Sequence, residues 1–513
     1  NNFQIYKKLE KYITSMIKKA IFVEKFKNEK RNHYPTYNTA FLIIGLFIFL
    51  YILVRSIFIN ITFDEAWTLR VFVPEKILNI LTYNPCDANH HLLNTLLIKG
   101  LFAIFPDTLF VARIPNILAS ILFIFFSYKI SNHFFNPKFG WICFALLLFN
   151  PFLIDYFCQA RGYGLALGFQ LASIYYLLCF SEDYKARNII KVIVFSSLTV
   201  LSVFVFINFY IACACIVVLI ILIEHKKIEY KKIILIYLIG TILLAAIIFV
   251  PIQQLILNKS LYYGGRINFY EDSLISLTQY SLYFHNPHPI VEITLNIFLL
   301  ILISTVIYSF FFKNKITSAK NIMLTLLILC VLAVIFQFYF LKTLYIIDRG
   351  MLYFYPILIL TLCLSIHSFL KKKISNLIYV LLIAFTVNLG RNINFNKTAM
   401  NYFEAQTLRI LEEINKEGVK NNKIYKIDFS WPFGSSINYY TTHKNFQNLE
   451  CVKNYYDRNS INPIFDYYIL LSAPIEKACY WPNTSNIINQ KGEISKISEF
   501  KKEDIIVYKK TNH

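Results

Sequence analysis

The sequence predicts a polytopic α-helical membrane protein with about eleven transmembrane helices and a small α/β domain behind them. Three observations predict it. Of 513 residues, 57% are hydrophobic and 17% aromatic, more apolar surface than a soluble domain of this length can bury. Apolar runs of about 20 residues, each able to cross roughly 30 Å of hydrocarbon as a helix, recur along most of the chain. The lysines behind a formal charge of +21 gather in short loops between those runs, where they report orientation and argue against a nucleic-acid partner.

Residues 1–36 read as a cytoplasmic basic segment. Within it Ile5, Leu9, Tyr12, Ile13, Met16 and Ile17 recur at helical spacing opposite lysines, the pattern of a helix lying on the inner leaflet. The apolar core of a cleavable signal peptide is missing there. Residues 37–395 form the membrane body, with spans expected at 38–59, 108–129, 139–156, 162–180, 190–206, 208–223, 233–255, 290–312, 321–341, 350–370 and 374–391. Basic residues up to Arg31, Lys129 and Lys138, then Lys185 to Lys191, Lys226 to Lys232, Lys313 to Lys320 and Lys371 to Lys373, fall on alternate loops. That alternation puts the N-terminus in the cytoplasm and turns loops 60–107, 157–161, 256–289 and 342–349 outward.

The tail, 396–513, is expected to be an outer soluble domain. Residues 402–416 have helical periodicity and meet Gly418 as a C-cap, while 423–428, 466–471 and 504–508 read as strands. The tail has no catalytic motif. Seven cysteines (143, 158, 179, 213, 215, 330 and 363) lie in predicted spans as small apolar residues, without metal-ligand spacing. Cys451 and Cys479 could pair if the outer compartment is oxidising.

The 60–107 loop is too long for a simple connector and is helically patterned, so function is expected there. Thr62-Phe63-Asp64-Glu65 fits a capping box, which would occupy Glu65 locally and leave Asp64 over. A carboxylate in a helix's first turn stays ionised, which suits a general base. Asn89 is expected to cap a helix with a leucine stripe, His90 and Asn94 sharing another face. His90-His91 could bind a divalent cation, orient a sugar hydroxyl or sit as interfacial polar surface. Arg113, Arg161 and Arg349 are charges at the hydrocarbon boundary on one predicted side, each able to snorkel to headgroups. Together they suit an anion, and arginine's planar fork suits phosphate. Arg266 follows Tyr262-Tyr263-Gly264-Gly265 in a loop that reads as a lid or an ordinary connection.

Five motifs in order resemble bacterial glycosyltransferase family 39 across residues 38–391: Phe63-Asp64-Glu65-Ala66, Asn89-His90-His91-Leu92-Leu93-Asn94, Arg113-Ile114-Pro115, Ala160-Arg161-Gly162-Tyr163, and Asp348-Arg349 with Tyr355-Pro356. That family is part of the GT-C superfamily, with protein O-mannosyltransferases and lipid A aminoarabinose transferases as relatives. The resemblance implies a GT-C fold in a bacterial inner membrane with a periplasmic tail. It implies inverting transfer from a polyprenyl-phosphate sugar to a lipid, glycan or protein hydroxyl, with Asp64 and Glu65 catalytic and Asn89, His90, His91, Asn94, Arg113, Arg161, Tyr163, Arg266, Asp348 and Arg349 at the substrate. His90-His91 stands where the aminoarabinose branch carries Glu-Lys-Pro, so that branch's acceptor does not transfer. The rival readings are a lipid-linked glycan transporter or flippase, which calls for repeats and midplane polar groups, and a glycan polymerase working from a later outer loop.

Overall fold

The computed structural model describes residues 35–224, 229–310, 315–368, 376–444, 446–451, 465–471, 494–502 and 504–510. The basic helix expected at 5–22 and the Cys479 partner proposed for Cys451 lie outside them.

Eight described helices are long and apolar enough to cross a membrane: Asn38–Phe58, Leu109–Phe134, Gly162–Asp183, Phe204–Glu224, Tyr230–Leu257, Pro289–Ser309, Ala319–Leu341 and Asp348–His367. The run expected as one span at 139–156 is two helices, Pro137–Leu148 and Pro151–Phe157, bent by 66°. Asn150 causes the break: its side chain caps the Phe152 and Leu153 amides, and Pro151 starts the new helix at the position that needs no N–H donor. Among the described residues the expected count of eleven is not reached on length. Ala186–Ser202 has 17 residues and Leu377–Asn392 has 16, about 24–26 Å of helix against roughly 30 Å of hydrocarbon.

Two helices lie at the centre. Gly162–Asp183 is 78% buried along its most apolar window and Asp348–His367 is 83%, whereas Tyr230–Leu257 buries only 17% and turns its isoleucines and leucines outward. Both central helices begin at the same end of the bundle, where Arg161 and Arg349 stand.

The carboxyl-terminal domain holds one five-stranded sheet: β1 (Tyr425–Phe429), β2 (Leu449–Cys451), β3 (Tyr467–Leu471), β4 (Ile494–Phe500) and β5 (Ile505–Lys510), in the order β2-β1-β3-β5-β4. The β1 strand runs parallel to both β2 and β3, and β5 is antiparallel to β3 and β4. The expected cap at Gly418 is wrong, because the Thr407–Lys420 helix runs through it and ends at Asn421. Glycine is needed there for a different reason: a Cβ would stand 2.6 Å from Asn448 Cβ, on the segment leading into β2.

Candidate active site

The site starts from the first turn of a short helix. In Phe63–Trp67 the Thr62 hydroxyl accepts the Glu65 amide, and the Glu65 carboxylate accepts the Thr62 amide at 3.0 Å, so the expected capping box is present. Glu65 also takes a two-pronged bond from Arg113, Nε and Nη2 each at 2.8 Å, and the Ala160 amide at 2.7 Å. The rest of the Arg113 guanidinium donates to the carbonyls of Ser56, Ile59 and Asn60 at the end of the first span. Both side chains are fully enclosed. Glu65 and Arg113 therefore use their hydrogen-bonding capacity inside the protein, holding the first span, the Asp64 helix and the Ala160 turn together.

Asp64 points the other way. Its carboxylate lies 2.8 Å from Arg349 Nη1 and 3.6 Å from Arg161 Nη2, and it accepts the Asn89 side-chain amide at 2.9 Å. Burial alone would raise the Asp64 carboxyl; Arg161 and Arg349 outweigh it, with help from Asn89, and hold it below the usual range. Asn89 is the hub. Its Oδ1 accepts Arg161 Nη2 and Arg349 Nη2, each at 3.0 Å, and its carbonyl accepts Arg161 Nη1 at 3.2 Å.

The cap role expected for Asn89 is therefore wrong: the Leu92–Phe102 helix has His91 at its N-cap, without a side-chain cap bond. Three tertiary partners outbid one local amide.

The two arginines differ in reach. Arg161 is 1% exposed, and its Nη1 is also spent on the Asp64 carbonyl and Thr68 hydroxyl; Arg349 is 17% exposed. The Tyr263 ring lies 5.6 Å from the Arg349 guanidinium, and its hydroxyl donates to Asp348. Asp348 takes a left-handed backbone conformation, φ 52°, with its amide on Ser276, and so sets where Arg349 points.

The histidines do separate things. His90 is stacked on Phe72 at 4.4 Å with the Tyr83 ring tilted against it at 4.3 Å, and burial lowers its pKa to about 4. His91, also buried, packs edge-on to Tyr163, and burial followed by the positive charge of Arg161 and Arg349 keeps it neutral far down in pH. Its Nε2 has no hydrogen-bond partner among the described residues. Gly162 makes this packing possible, since a Cβ there would lie 2.1 Å from the Ser202 carbonyl and 3.0 Å from His91.

Asn94 is fully buried rather than open to substrate: it donates to the Ala160 carbonyl and accepts from Asn116. It braces the turn that carries Arg161. Arg266 is exposed on the 256–289 loop, whose Gly265 pairs with Tyr345 in an isolated bridge just before Asp348. Among the described residues no group of three or more His, Cys, Asp or Glu is placed to hold a metal ion. The immediate charged neighbours of Asp64 are cations, an arrangement that favours an anion over a divalent cation.

Sequence reasoning missed a second buried pair, Arg55 with Asp155 at 2.6 Å, joined by the Tyr283 hydroxyl and the backbone of Lys397 and Ala399. A signal existed: Asp155 is a lone carboxylate in an apolar run.

No curated protein matches the chain. Among solved structures, the arabinosyltransferase EmbB from Mycobacterium smegmatis has a TM-score of 0.42 at 12% identity, covering 67% of this chain and 32% of its own. The oligosaccharyltransferase AglB from Archaeoglobus fulgidus, solved with an inhibitory peptide and a dolichol-phosphate, has a TM-score of 0.44 at 11% identity, covering 85% of this chain and 69% of its own. Residues 89–253 match the family model described as dolichyl-phosphate-mannose-protein mannosyltransferase. Asp64 and Arg349 lie outside that stretch; Asn89, Arg113 and Arg161 lie within it. Over the segment from Asn89 to Gln253, about a third of its length, the chain is similar to this mannosyltransferase family.

Proposed function

We propose that the protein transfers a sugar, with inversion, from a polyprenyl-phosphate donor to a hydroxyl of a lipid, glycan or protein acceptor at the outer face of a bacterial inner membrane. The observation that carries the reading is the Asp64 carboxylate set between Arg161 and Arg349. Each arginine stands at the N-terminal end of a central helix, where the helix dipole also favours an anion.

In the proposed reaction the acceptor hydroxyl gives its proton to Asp64, and its oxygen attacks the anomeric carbon from the face opposite the phosphate. The bond from that carbon to the phosphate oxygen breaks, and polyprenyl phosphate departs as an anion. A phosphate leaving group needs cations rather than an acid, so one base and the arginines suffice. Of the two, Arg349 has the exposure to reach the donor, while Arg161 holds Asn89 and Asp64 in place. A donor phosphate would draw Arg349 off Asp64. That exchange removes one of the charges that depress the carboxylate, so the base gains strength as the donor arrives. Glu65 and Arg113, fully committed inside the protein, act by positioning.

Donor titration in nanodiscs tests this. Arg349→Gln is expected to weaken donor affinity tenfold to a hundredfold, about 1.5–3 kcal/mol for a lost charged contact, with little change toward the acceptor. Arg161→Gln is expected to lower turnover more than donor affinity. Unchanged donor dependence and turnover in both variants would remove the arginines from the reaction.

A further inference from the structure

The carboxyl-terminal domain has no catalytic motif of its own, yet it is built into the wall behind Asp64. Ile61, Ala66 and Leu69 of the first loop share one apolar core with Phe403, Phe433, Ile437 and Tyr440 of the domain. The Gly434–His443 helix packs directly on the Phe63–Trp67 helix. Two sets of hydrogen bonds fix the segment leading into Asp64. The Ile61 amide donates to the Tyr440 hydroxyl at 3.0 Å, and the Asn60 side chain donates to the Glu404 and Ala405 carbonyls at 2.9 and 2.8 Å. Beneath them the Glu404 carboxyl is enclosed and accepts from the hydroxyls of Ser436 and Thr407, tying the two domain helices to the turn that holds Asn60.

We infer that Tyr440 and Glu404 are positioning residues for Asp64: the domain fixes the 60–62 segment, and through it places the carboxylate between Arg161 and Arg349. This rests on the proposed role of Asp64. The geometry is unforgiving, because the segment enters the Asp64 helix directly and a displacement of about 1 Å can cost a hundredfold in rate.

The charged and titratable groups around Glu404 are Glu65 on the Asp64 helix, its Arg113 partner on the second span, and Tyr440 on the domain helix. Burial raises the Glu404 carboxyl to about 8, and the nearby Glu65 charge adds to that. The sign follows. The docked domain keeps a proton on Glu404 that an undocked or unfolded chain releases near the ordinary value of 4.5. Docking therefore weakens as pH rises from there to about 8 and levels off above it.

Tyr440→Phe keeps the ring and removes the acceptor for the Ile61 amide; Glu404→Gln keeps the shape and cannot ionise. Tyr440→Phe is expected to lower kcat tenfold to a hundredfold with donor KM unchanged. The wild-type kcat is expected to fall as pH rises through about 8, and that fall should vanish in Glu404→Gln. Amide hydrogen exchange in nanodiscs supplies a readout independent of the reaction: Tyr440→Phe should lose protection across residues 60–66 while the central helices keep theirs. Wild-type protection there in Tyr440→Phe, or the same alkaline fall in Glu404→Gln as in wild type, overturns the inference. Lost protection without any transferase activity in the wild type would uphold the coupling and count against the function proposed for Asp64.

Discussion

Replacing Asp64 by Asn is expected to cut transfer by a factor of about 10² to 10⁴, the usual contribution of a positioned general base, without loss of folding or membrane insertion. The asparagine keeps the shape and an acceptor oxygen for Arg349 and Arg161; it gives up the bond from the Asn89 amide, while Asn89 stays held by both arginines. What it loses is the charge that competes with a donor phosphate for Arg349. Donor binding should therefore stay as tight or tighten while turnover collapses, a separation that general misfolding cannot produce. Mass spectrometry of the product together with a donor-binding isotherm checks both halves. Near-normal turnover would remove Asp64 from the chemistry.

Breaking the neighbouring pair should instead remove the protein. Glu65 and Arg113 are fully enclosed, and truncating either leaves its partner as an uncompensated buried charge at a cost of about 3–5 kcal/mol. Against a typical total of about 5–15 kcal/mol, that is a large share. Arg113→Ala also leaves three carbonyl acceptors at the end of the first span without their donor, so it should be the worse of the two. The expected result is a melting midpoint well below wild type in detergent, with little folded protein recovered. The Glu65→Leu, Arg113→Met double variant should be more stable than either single truncation, because it removes both charges together. A wild-type midpoint for Arg113→Ala would contradict the account of this pair.

The contrast between these adjacent carboxylates was half legible in the sequence. The capping box in Thr62 to Glu65 is local, so pattern alone identified which carboxylate is tied down and which is left over. The fork from Arg113 to Glu65 was not legible, because it joins residues 48 apart, and a boundary arginine reads equally well as a phosphate ligand. Asn89 shows the same limit from the other side: capping is its favoured local role, and contacts to Asp64, Arg161 and Arg349 override it. Apolar runs were readable, but the break at Asn150-Pro151 and the short lengths of Ala186–Ser202 and Leu377–Asn392 were not, since hydropathy averages over them. The shared core between the first loop and the tail brings together residues more than 300 positions apart, far beyond the reach of periodicity.

The most direct test of the central claim is a structure of the full chain in nanodiscs with a polyprenyl-phosphate sugar bound. The account predicts phosphate oxygens about 3 Å from the Arg349 guanidinium, with the Arg349 to Asp64 contact, now 2.8 Å, opened. The Asp64 carboxylate should then face the anomeric carbon from the side away from the phosphate. Phosphate bound elsewhere, with the contact between Arg349 and Asp64 intact, would contradict it.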